Sequence, residues 1–190
     1  NAQSPADLVS DLYAVTGDIL HKKGEEQEAF AAYDSCLQWK DDNVMALNNY
    51  AYYLSVKGTD LHKAESMSYK TIKAEPNNGT YLDTYAWILF MEERYADAKT
   101  YIDQALKNRD STADNSTVIE HAGDIYYMNG MPDESVNFWK EAYTGENQTE
   151  VLAWKIKNRQ YITEEELKKR NAPKQKVAAT KKSVRKGKMK

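Results

Sequence analysis

Histidine and cysteine are the side chains in this sequence that could ligate a metal or act as a nucleophile, and both are scarce. The chain has three histidines, His21, His62 and His121, and one cysteine, Cys36. They do not stand at the spacing of a metal-binding motif, and a structural zinc site uses four such ligands. A single cysteine also excludes an intramolecular disulfide. We therefore expect no metal site, and we interpret Cys36 as a small packing residue rather than a nucleophile.

Motifs that cradle phosphate or activate a nucleophile do not occur in the sequence. It contains no glycine-rich phosphate loop, no nucleophile elbow and no zinc-helix signature. Acidic residues are numerous, 29 in 190, but acids on helices usually form solvated faces, and nothing pairs two of them in a predicted cleft. We predict that the chain is not an enzyme, that it uses no cofactor, and that it has no small-molecule substrate.

Charge is distributed unevenly along the chain, whose net charge is −3. The last twenty residues, 171–190, carry eight of the 26 Lys and Arg and none of the 29 acids. The remaining 18 basic and 29 acidic residues give residues 1–170 a net charge of −11. The tail shows no apolar periodicity, and we predict that it is disordered.

The overall composition favours an all-α fold with a buried core. Hydrophobic residues make up 41% of the chain, with 14 Tyr but only 8 Gly and 4 Pro, and Ala, Glu, Lys and Leu are good helix formers. No apolar run approaches the ~20 residues that a membrane-spanning helix needs. No signal-peptide pattern opens the chain, which starts at Asn1 rather than Met; we interpret residues 1–9 as an N-terminal segment, the end of a truncated preceding region.

Small residues recur in the sequence with a period close to 34. Large apolar residues stand four before and three after each member of the first series, the spacing of one helix face. The insertions that lengthen the period fall in polar stretches, at 57–60 and 108–115, as a repeat of helix pairs requires. The first series is Gly17, Ala51, Ala86, Gly123; the second is Ala29, Ala64, Ala98, Ser135; the third is Cys36, Thr71, Ala105, Ala142.

Each repeat is predicted to be two helices joined by a tight turn. Gly24, Gly58 and Gly130 mark this turn in three repeats, and Glu92-Glu93-Arg94 replaces the glycine in the other. Glu150 opens a further apolar-faced helix that reaches about Tyr161 and covers the end of the array, and a short helix follows from Thr163.

With this period and these small residues, the phrases YAYYLSVKGTDLHKAESMSYKTIKAEPNN and YAWILFMEERYADAKTYIDQAL resemble tetratricopeptide repeats. The resemblance implies a right-handed superhelical solenoid of about four helix-turn-helix units plus a C-terminal capping helix. The predicted organisation is an N-terminal segment 1–9, repeats 10–43, 44–78, 79–112 and 116–149, capping and short helices in 150–170, and the basic tail 171–190.

The resemblance also implies where a partner would bind, because the first helices of successive repeats line a concave groove in this family. The middle of the predicted groove is aromatic and its rim is acidic. One variant of the family, which clamps a terminal carboxylate, is disfavoured because Asp18, Thr80 and Thr84 stand where amide or basic side chains would be needed. The predicted partner-binding residues are Asp18, Asn48, Tyr52, Asp83, Trp87, Phe90, Glu120, Asp124 and Tyr127.

Three functions remain open from the sequence. The leading hypothesis is a scaffold that binds a protein or peptide, one with basic residues, in the groove. The alternative is binding of nucleic acid or an anionic surface through the basic tail, which the acidic body and the lack of aromatic residues in the tail disfavour. In the third, the tail docks in the acidic groove. The family resemblance favours a bacterial protein of the periplasm or cell envelope over the cytoplasm.

Overall fold

The computed structural model describes residues 4–172, and within them the chain is entirely helical apart from turns. The all-α prediction is confirmed. Most of the predicted basic tail, from residue 173 onward, lies outside the described residues, as do residues 1–3. The helices are α1 (Pro5–Lys22), α2 (Glu26–Trp39), α3 (Val44–Lys57), α4 (Leu61–Ala74), α5 (Gly79–Met91), α6 (Tyr95–Lys107), α7 (Ser116–Met128), α8 (Pro132–Ala142), a 3₁₀ turn (Gly145–Asn147), α9 (Glu150–Asn158) and α10 (Glu164–Asn171).

The helices from α1 to α8 form four consecutive pairs, in which each odd-numbered helix packs on the even-numbered helix that follows it. Neighbouring pairs also contact one another, through α2 with α3, α4 with α5 and α6 with α7. The two insertions inferred from the sequence fall between α3 and α4 and between α6 and α7. Each apolar face therefore stays in phase with the core of the array.

Helix α1 begins earlier than the sequence pattern predicts, so the boundary at residue 10 falls inside it. Ser4 caps the helix by accepting a hydrogen bond from the Asp7 amide, and the Asp7 carboxylate accepts one from the Ser4 amide. Pro5 occupies the first turn, where the missing N–H costs little. The periodicity did not reveal this start because it depends on capping chemistry rather than on apolar spacing.

All members of the three small-residue series are buried where helices cross. Two of them admit an aromatic ring from the second helix of the pair. A Cβ on Gly17 would lie 2.7 Å from the Tyr33 ring, and a Cβ on Gly123 would lie 2.4 Å from the Trp139 ring. The first and fourth repeats therefore need glycine at this position because an aromatic side chain fills the space.

The turn inside the third repeat uses a non-glycine residue in a left-handed conformation. Gly58 has φ of 70° in the second repeat, and Glu93 has φ of 61° at the matching place in the third. The prediction that Glu92-Glu93-Arg94 substitutes for a glycine turn is confirmed. Such a conformation is strained for a residue with a Cβ.

After the repeats, α9 packs against α8, and α10 follows from a cap at Thr163. Leu152 of α9, Ile162 of the linker and Leu167 of α10 are all buried. Thr163 and Glu166 exchange the two hydrogen bonds of a capping box. Helix α9 ends at Asn158, earlier than predicted, because Arg159 adopts a left-handed conformation that breaks it.

Candidate functional site

A cavity of about 820 Å³ opens between the first helices of the second, third and fourth repeats and the C-terminal helices. Helices α3, α5 and α7 form one wall, and α9, α10 and their linker form the other. Aromatic and aliphatic side chains predominate, with a few charged ones among them. The residues that line the cavity include Tyr52, Val56, Trp87, Met91, Glu120, His121, Asp124, Glu150, Val151, Lys155, Tyr161, Ile162, Glu164 and Leu167.

The aromatic part of the cavity is built by three successive repeats. Trp87 of α5 stacks on His121 of α7, with ring centroids 4.0 Å apart and planes within 16°. The Trp87 ring also stacks on Phe90, with ring centroids 4.8 Å apart. Tyr52 of α3 stands 6.3 Å from the His121 ring. Tyr52 and Trp87 are both half-buried, so each is packed on one side and faces the cavity on the other.

His121 is held by a carboxylate of the preceding repeat. Its Nδ1 lies 2.9 and 3.1 Å from the two carboxylate oxygens of Asp83, and both side chains are buried. Burial alone would lower the pKa of His121, but the charge of Asp83 and the hydrogen bond to it raise that pKa above its ordinary value. Asp83 therefore orients the imidazole on which Trp87 stacks, and it is not among the residues that line the cavity.

A buried lysine from α9 neutralises two acids of the fourth repeat. Lys155 Nζ donates to both carboxylate oxygens of Asp124 at 2.8 Å and to Glu120 at 3.0 Å. Trp139 Nε1 also donates to Asp124, at 2.8 Å. Burial opposes the charge of Lys155, yet the two carboxylates raise the pKa of its ammonium above the usual value. Burial raises the pKa of Asp124, while Lys155 opposes that change.

In the first repeat, Asp18 holds the position of Asp124, with different partners and away from the cavity. Asp18 follows Gly17 as Asp124 follows Gly123, and it accepts a hydrogen bond from the hydroxyl of Tyr33. Asn49 of α3 also donates to Asp18, at 2.9 Å. A glycine-aspartate pair thus makes room for an aromatic ring and then binds its polar atom.

The structure divides the nine predicted groove residues into two groups. Tyr52, Trp87, Glu120 and Asp124 line the cavity, and their role in binding a partner stays a prediction. The other five do not line it: Asp18, Asn48, Asp83, Phe90 and Tyr127.

Packing and pairing explain why those five lie elsewhere. Phe90 is 5% exposed and packs edge-to-face against Tyr161 at 5.7 Å, so its ring belongs to the core. Tyr127 lies between Trp139 and Tyr161, at 5.8 and 6.5 Å. Asn48 is buried, and the two acids are paired as described above. Within the third and fourth repeats, the predicted groove positions nearest the turn, Phe90 and Tyr127, therefore face neighbouring helices rather than an open groove.

Sequence reasoning missed the second wall of the cavity. Val151, Lys155, Tyr161, Ile162 and Leu167 come from a segment that was predicted only to cover the end of the array. One signal was present in the sequence, because Lys155 follows Leu152 by three residues and so stands on the apolar face of α9. A lysine on an apolar helix face predicts a buried acid that pairs with it.

Residues 4–172 hold neither a metal-binding cluster nor a membrane-spanning helix. No group of three or more His, Cys, Asp or Glu side chains in this range is arranged to hold a metal ion. No helix in the same range is long and apolar enough to cross a membrane.

Comparison with known proteins identifies the fold. No protein-family model matches the chain. A TPR repeat-containing protein of Pseudomonas aeruginosa is 36% identical to it over 66 residues, which cover 35% of this chain and 11% of that protein. The chain therefore matches a small part of the length of this curated relative.

Solved structures show the same architecture over most of the described residues. PilF of Pseudomonas aeruginosa superposes on this chain with a TM-score of 0.68 at 16% identity. The match covers 82% of this chain and 69% of PilF. YrrB, described as a TPR protein with an unusual peptide-binding site, has a TM-score of 0.56 at 18% identity, covering 77% of this chain and 74% of YrrB. These likenesses show the fold, a superhelical solenoid of tetratricopeptide-type helix pairs.

Proposed function

We propose that this tetratricopeptide-repeat solenoid is a protein-interaction module that binds one segment of a partner protein in the cavity between α3, α5, α7 and the C-terminal helices. The observation that carries the proposal is the cavity's lining, which presents Tyr52 and Trp87 opposite Val151, Ile162 and Leu167. Aromatic side chains beside aliphatic ones are typical of binding hot spots.

The cavity suits an apolar anchor side chain with a short stretch of chain on either side. Its volume, about 820 Å³, lies within the usual range for binding clefts of about 300–1,000 Å³. Val56 at the end of α3 is 57% exposed and extends the apolar surface beyond Tyr52. Burying such surface supplies the affinity, and the few polar groups at the edge set the orientation.

Fewer acids support the predicted preference for basic partners than the sequence indicated. Asp83 is paired with His121, and Glu120 and Asp124 are paired with Lys155. Glu150 and Glu164 also line the cavity and are exposed, and their contacts, Glu150 with the Asn171 amide and Glu164 with Lys168, lie at the surface. We therefore propose that a basic residue of the partner contributes to association rate beside these two acids, while the apolar anchor contributes most of the affinity.

The experiment is a selection of cavity-binding peptides from a random library with the full chain, followed by affinity measurement with variants. Tyr52→Ala and Val56→Ala are expected to weaken the selected peptides about tenfold or more. Tyr69→Ala is the matched control, because Tyr69 is an exposed aromatic on α4 that does not line the cavity, and it should leave affinity unchanged. Peptides that bind all three variants equally would contradict the proposal.

For compartment, we keep the bacterial periplasm or cell envelope as our proposal. It rests on the family resemblance alone. Fractionation of cells that express the protein from its own gene would test it, and recovery with cytoplasmic markers would overturn it.

A further inference from the structure

The imidazole of His121 places a nitrogen atom without a hydrogen-bond partner at the wall of the cavity. The residue is only 7% exposed, yet it lines the cavity. Its Nδ1 is bound to Asp83, and Trp87 covers one face of its ring. Its Nε2 makes no hydrogen bond within residues 4–172. Polar groups on buried side chains are nearly always paired, so an unpaired one in a cavity wall indicates where a ligand binds.

The edge of the imidazole that carries Nε2 is the edge that faces the cavity. Nδ1 is directed at Asp83, which does not line the cavity, and Nε2 lies on the opposite side of the ring carbon Cε1. The indole Nε1 of the stacked Trp87 also lacks an acceptor, but it is fully enclosed, whereas Nε2 of His121 is not. A ligand in the cavity can therefore reach Nε2 without any movement of the two rings.

The acids around His121 are already occupied by donors of the chain itself. Asp83 is bound by His121, and Lys155 binds both Asp124 and Glu120. When His121 is charged, three carboxylates surround two cations, so a carboxylate from a partner would be repelled. An uncharged carbonyl oxygen would accept a hydrogen bond here without adding charge.

The hydrogen-bonding role of Nε2 depends on the charge of the ring. Asp83 fixes the proton on Nδ1, so Nε2 accepts when the imidazole is neutral and donates when it is charged. Burial opposes the charge, but Asp83 and the two acids of α7 raise the pKa of His121 above its ordinary value. Burial also raises the pKa of the two cavity tyrosines, which stay neutral. The titratable groups around His121 are Asp83 on α5, Glu120 and Asp124 on α7, Lys155 on α9, Tyr52 on α3 and Tyr161 after α9.

We propose that Nε2–H of His121 donates a hydrogen bond to an uncharged carbonyl oxygen of the bound segment, in its main chain or in an Asn or Gln side chain. This inference rests on the proposed function, because it concerns a segment held in the cavity. The hydrogen bond forms only while the imidazole is charged, so affinity should fall as pH rises through the pKa of His121. Hydrogen bonds from charged donors are strong, and we expect a loss of about tenfold or more.

The first experiment measures the affinity of the full chain for the library-selected peptides from about pH 6 to 9. The peptides are acetylated, amidated and free of His. The parent chain should bind them about tenfold more weakly at high pH. His121→Phe/Asp83→Leu keeps an aromatic ring beside Trp87 and leaves no buried charge unpaired, so it should bind weakly at every pH. His62→Gln is the control, since His62 is exposed and does not line the cavity, and it should keep the parent profile.

The outcomes separate this inference from the function on which it rests. Peptides that Tyr52→Ala weakens, but whose affinity for the parent chain stays constant or increases with pH, would overturn the hydrogen bond and leave the cavity as the binding site. Peptides that bind Tyr52→Ala as well as the parent chain would overturn both. A pH dependence that disappears when an Asp or Glu of the peptide is replaced would contradict the uncharged acceptor.

The second experiment follows His121 directly by nitrogen NMR of the parent chain labelled at histidine, so it does not depend on a variant that folds. The His121 signals are identified by their loss in His121→Phe/Asp83→Leu. A bound peptide should raise the pKa of His121 by about one unit for each tenfold difference in affinity. Replacing Asn or Gln of the peptide with Ala abolishes the rise if a side chain is the acceptor and preserves it if the main chain is. An unchanged or lowered pKa would overturn the proposal.

Discussion

Lys155 Nζ lies 2.8 Å from each carboxylate oxygen of Asp124, and both side chains are only 4% exposed. This contact joins the C-terminal helix α9 to the first helix of the fourth repeat. Lys155 of the chain itself therefore pairs with the acid that the sequence predicted would contact a basic residue of a partner. The C-terminal segment is therefore part of the cavity and not only a cover for the last repeat.

Replacing Lys155 with Met is expected to destabilise the fold by about 3–5 kcal/mol, because Asp124 would remain buried without its counter-charge. Urea unfolding measures the change. Lys157→Met on the same helix is the control, since Lys157 is exposed and should change stability by less than about 0.5 kcal/mol. The double variant Lys155→Met/Asp124→Leu should recover part of the loss, and a double variant less stable than Lys155→Met would contradict the pairing.

Gly123→Ala is expected to cost about 1–3 kcal/mol, because the new Cβ would overlap a packed aromatic ring. The predicted approach is 2.4 Å to Trp139. Trp139→Leu removes that ring and carries its own cost, so the measurement is a double-mutant cycle on the free energy of unfolding. We expect Gly123→Ala to cost far less in the Trp139→Leu background. Equal costs in both backgrounds would show that the ring is not what excludes a side chain.

Stability should depend on pH through His121. Its folded pKa lies above the ordinary value of 6.5, so the stabilisation is fully present below about pH 6.5 and is lost as pH rises through the folded pKa. Asp83→Asn removes the charge that raises it. The difference in unfolding free energy between the two proteins should therefore shrink with rising pH, by up to about 1.4 kcal/mol per pH unit. A difference that stays constant from about pH 5.5 to 9 would show that His121 does not titrate there.

Glu93→Gly is expected to raise stability by about 0.5–1 kcal/mol, because glycine adopts the left-handed conformation without strain. Glu92→Gly is the matched control. Glu92 has φ of −85° and contacts Arg94, so glycine there should lower stability. Thermal unfolding of the two variants beside the parent chain decides the matter, and a loss of stability in both would argue that Glu93 is not strained.

The repeat and its turns could be predicted from the sequence because they depend on local periodicity. Gly17 and Gly123 indicate where two helices cross. The turn at Glu93 could be predicted by aligning the third repeat with Gly58 of the second. The cavity could not be predicted in the same way, since it depends on where α10 returns to the array. Asp83 and Asp124 were predicted to face a partner because helical phase gives the direction of a side chain and not its neighbour.

Leu167→Ala is expected to loosen α10 while leaving the repeats intact. Leu167 is the buried residue of that helix, and truncating a buried leucine costs about 2–5 kcal/mol of packing, which an eight-residue helix cannot replace by its own propensity. Amide hydrogen exchange should therefore rise in residues 164–171 and stay slow in α5 and α7. Lys169→Ala, at an exposed position of the same helix that does not line the cavity, is the control and should leave exchange unchanged. Since α10 forms part of the second wall of the cavity, peptides selected with the parent chain should also bind the Leu167→Ala variant more weakly.

Unchanged exchange in residues 164–171 would show that Leu167 does not hold α10, and faster exchange with undiminished binding would show that partners are held by the repeats alone.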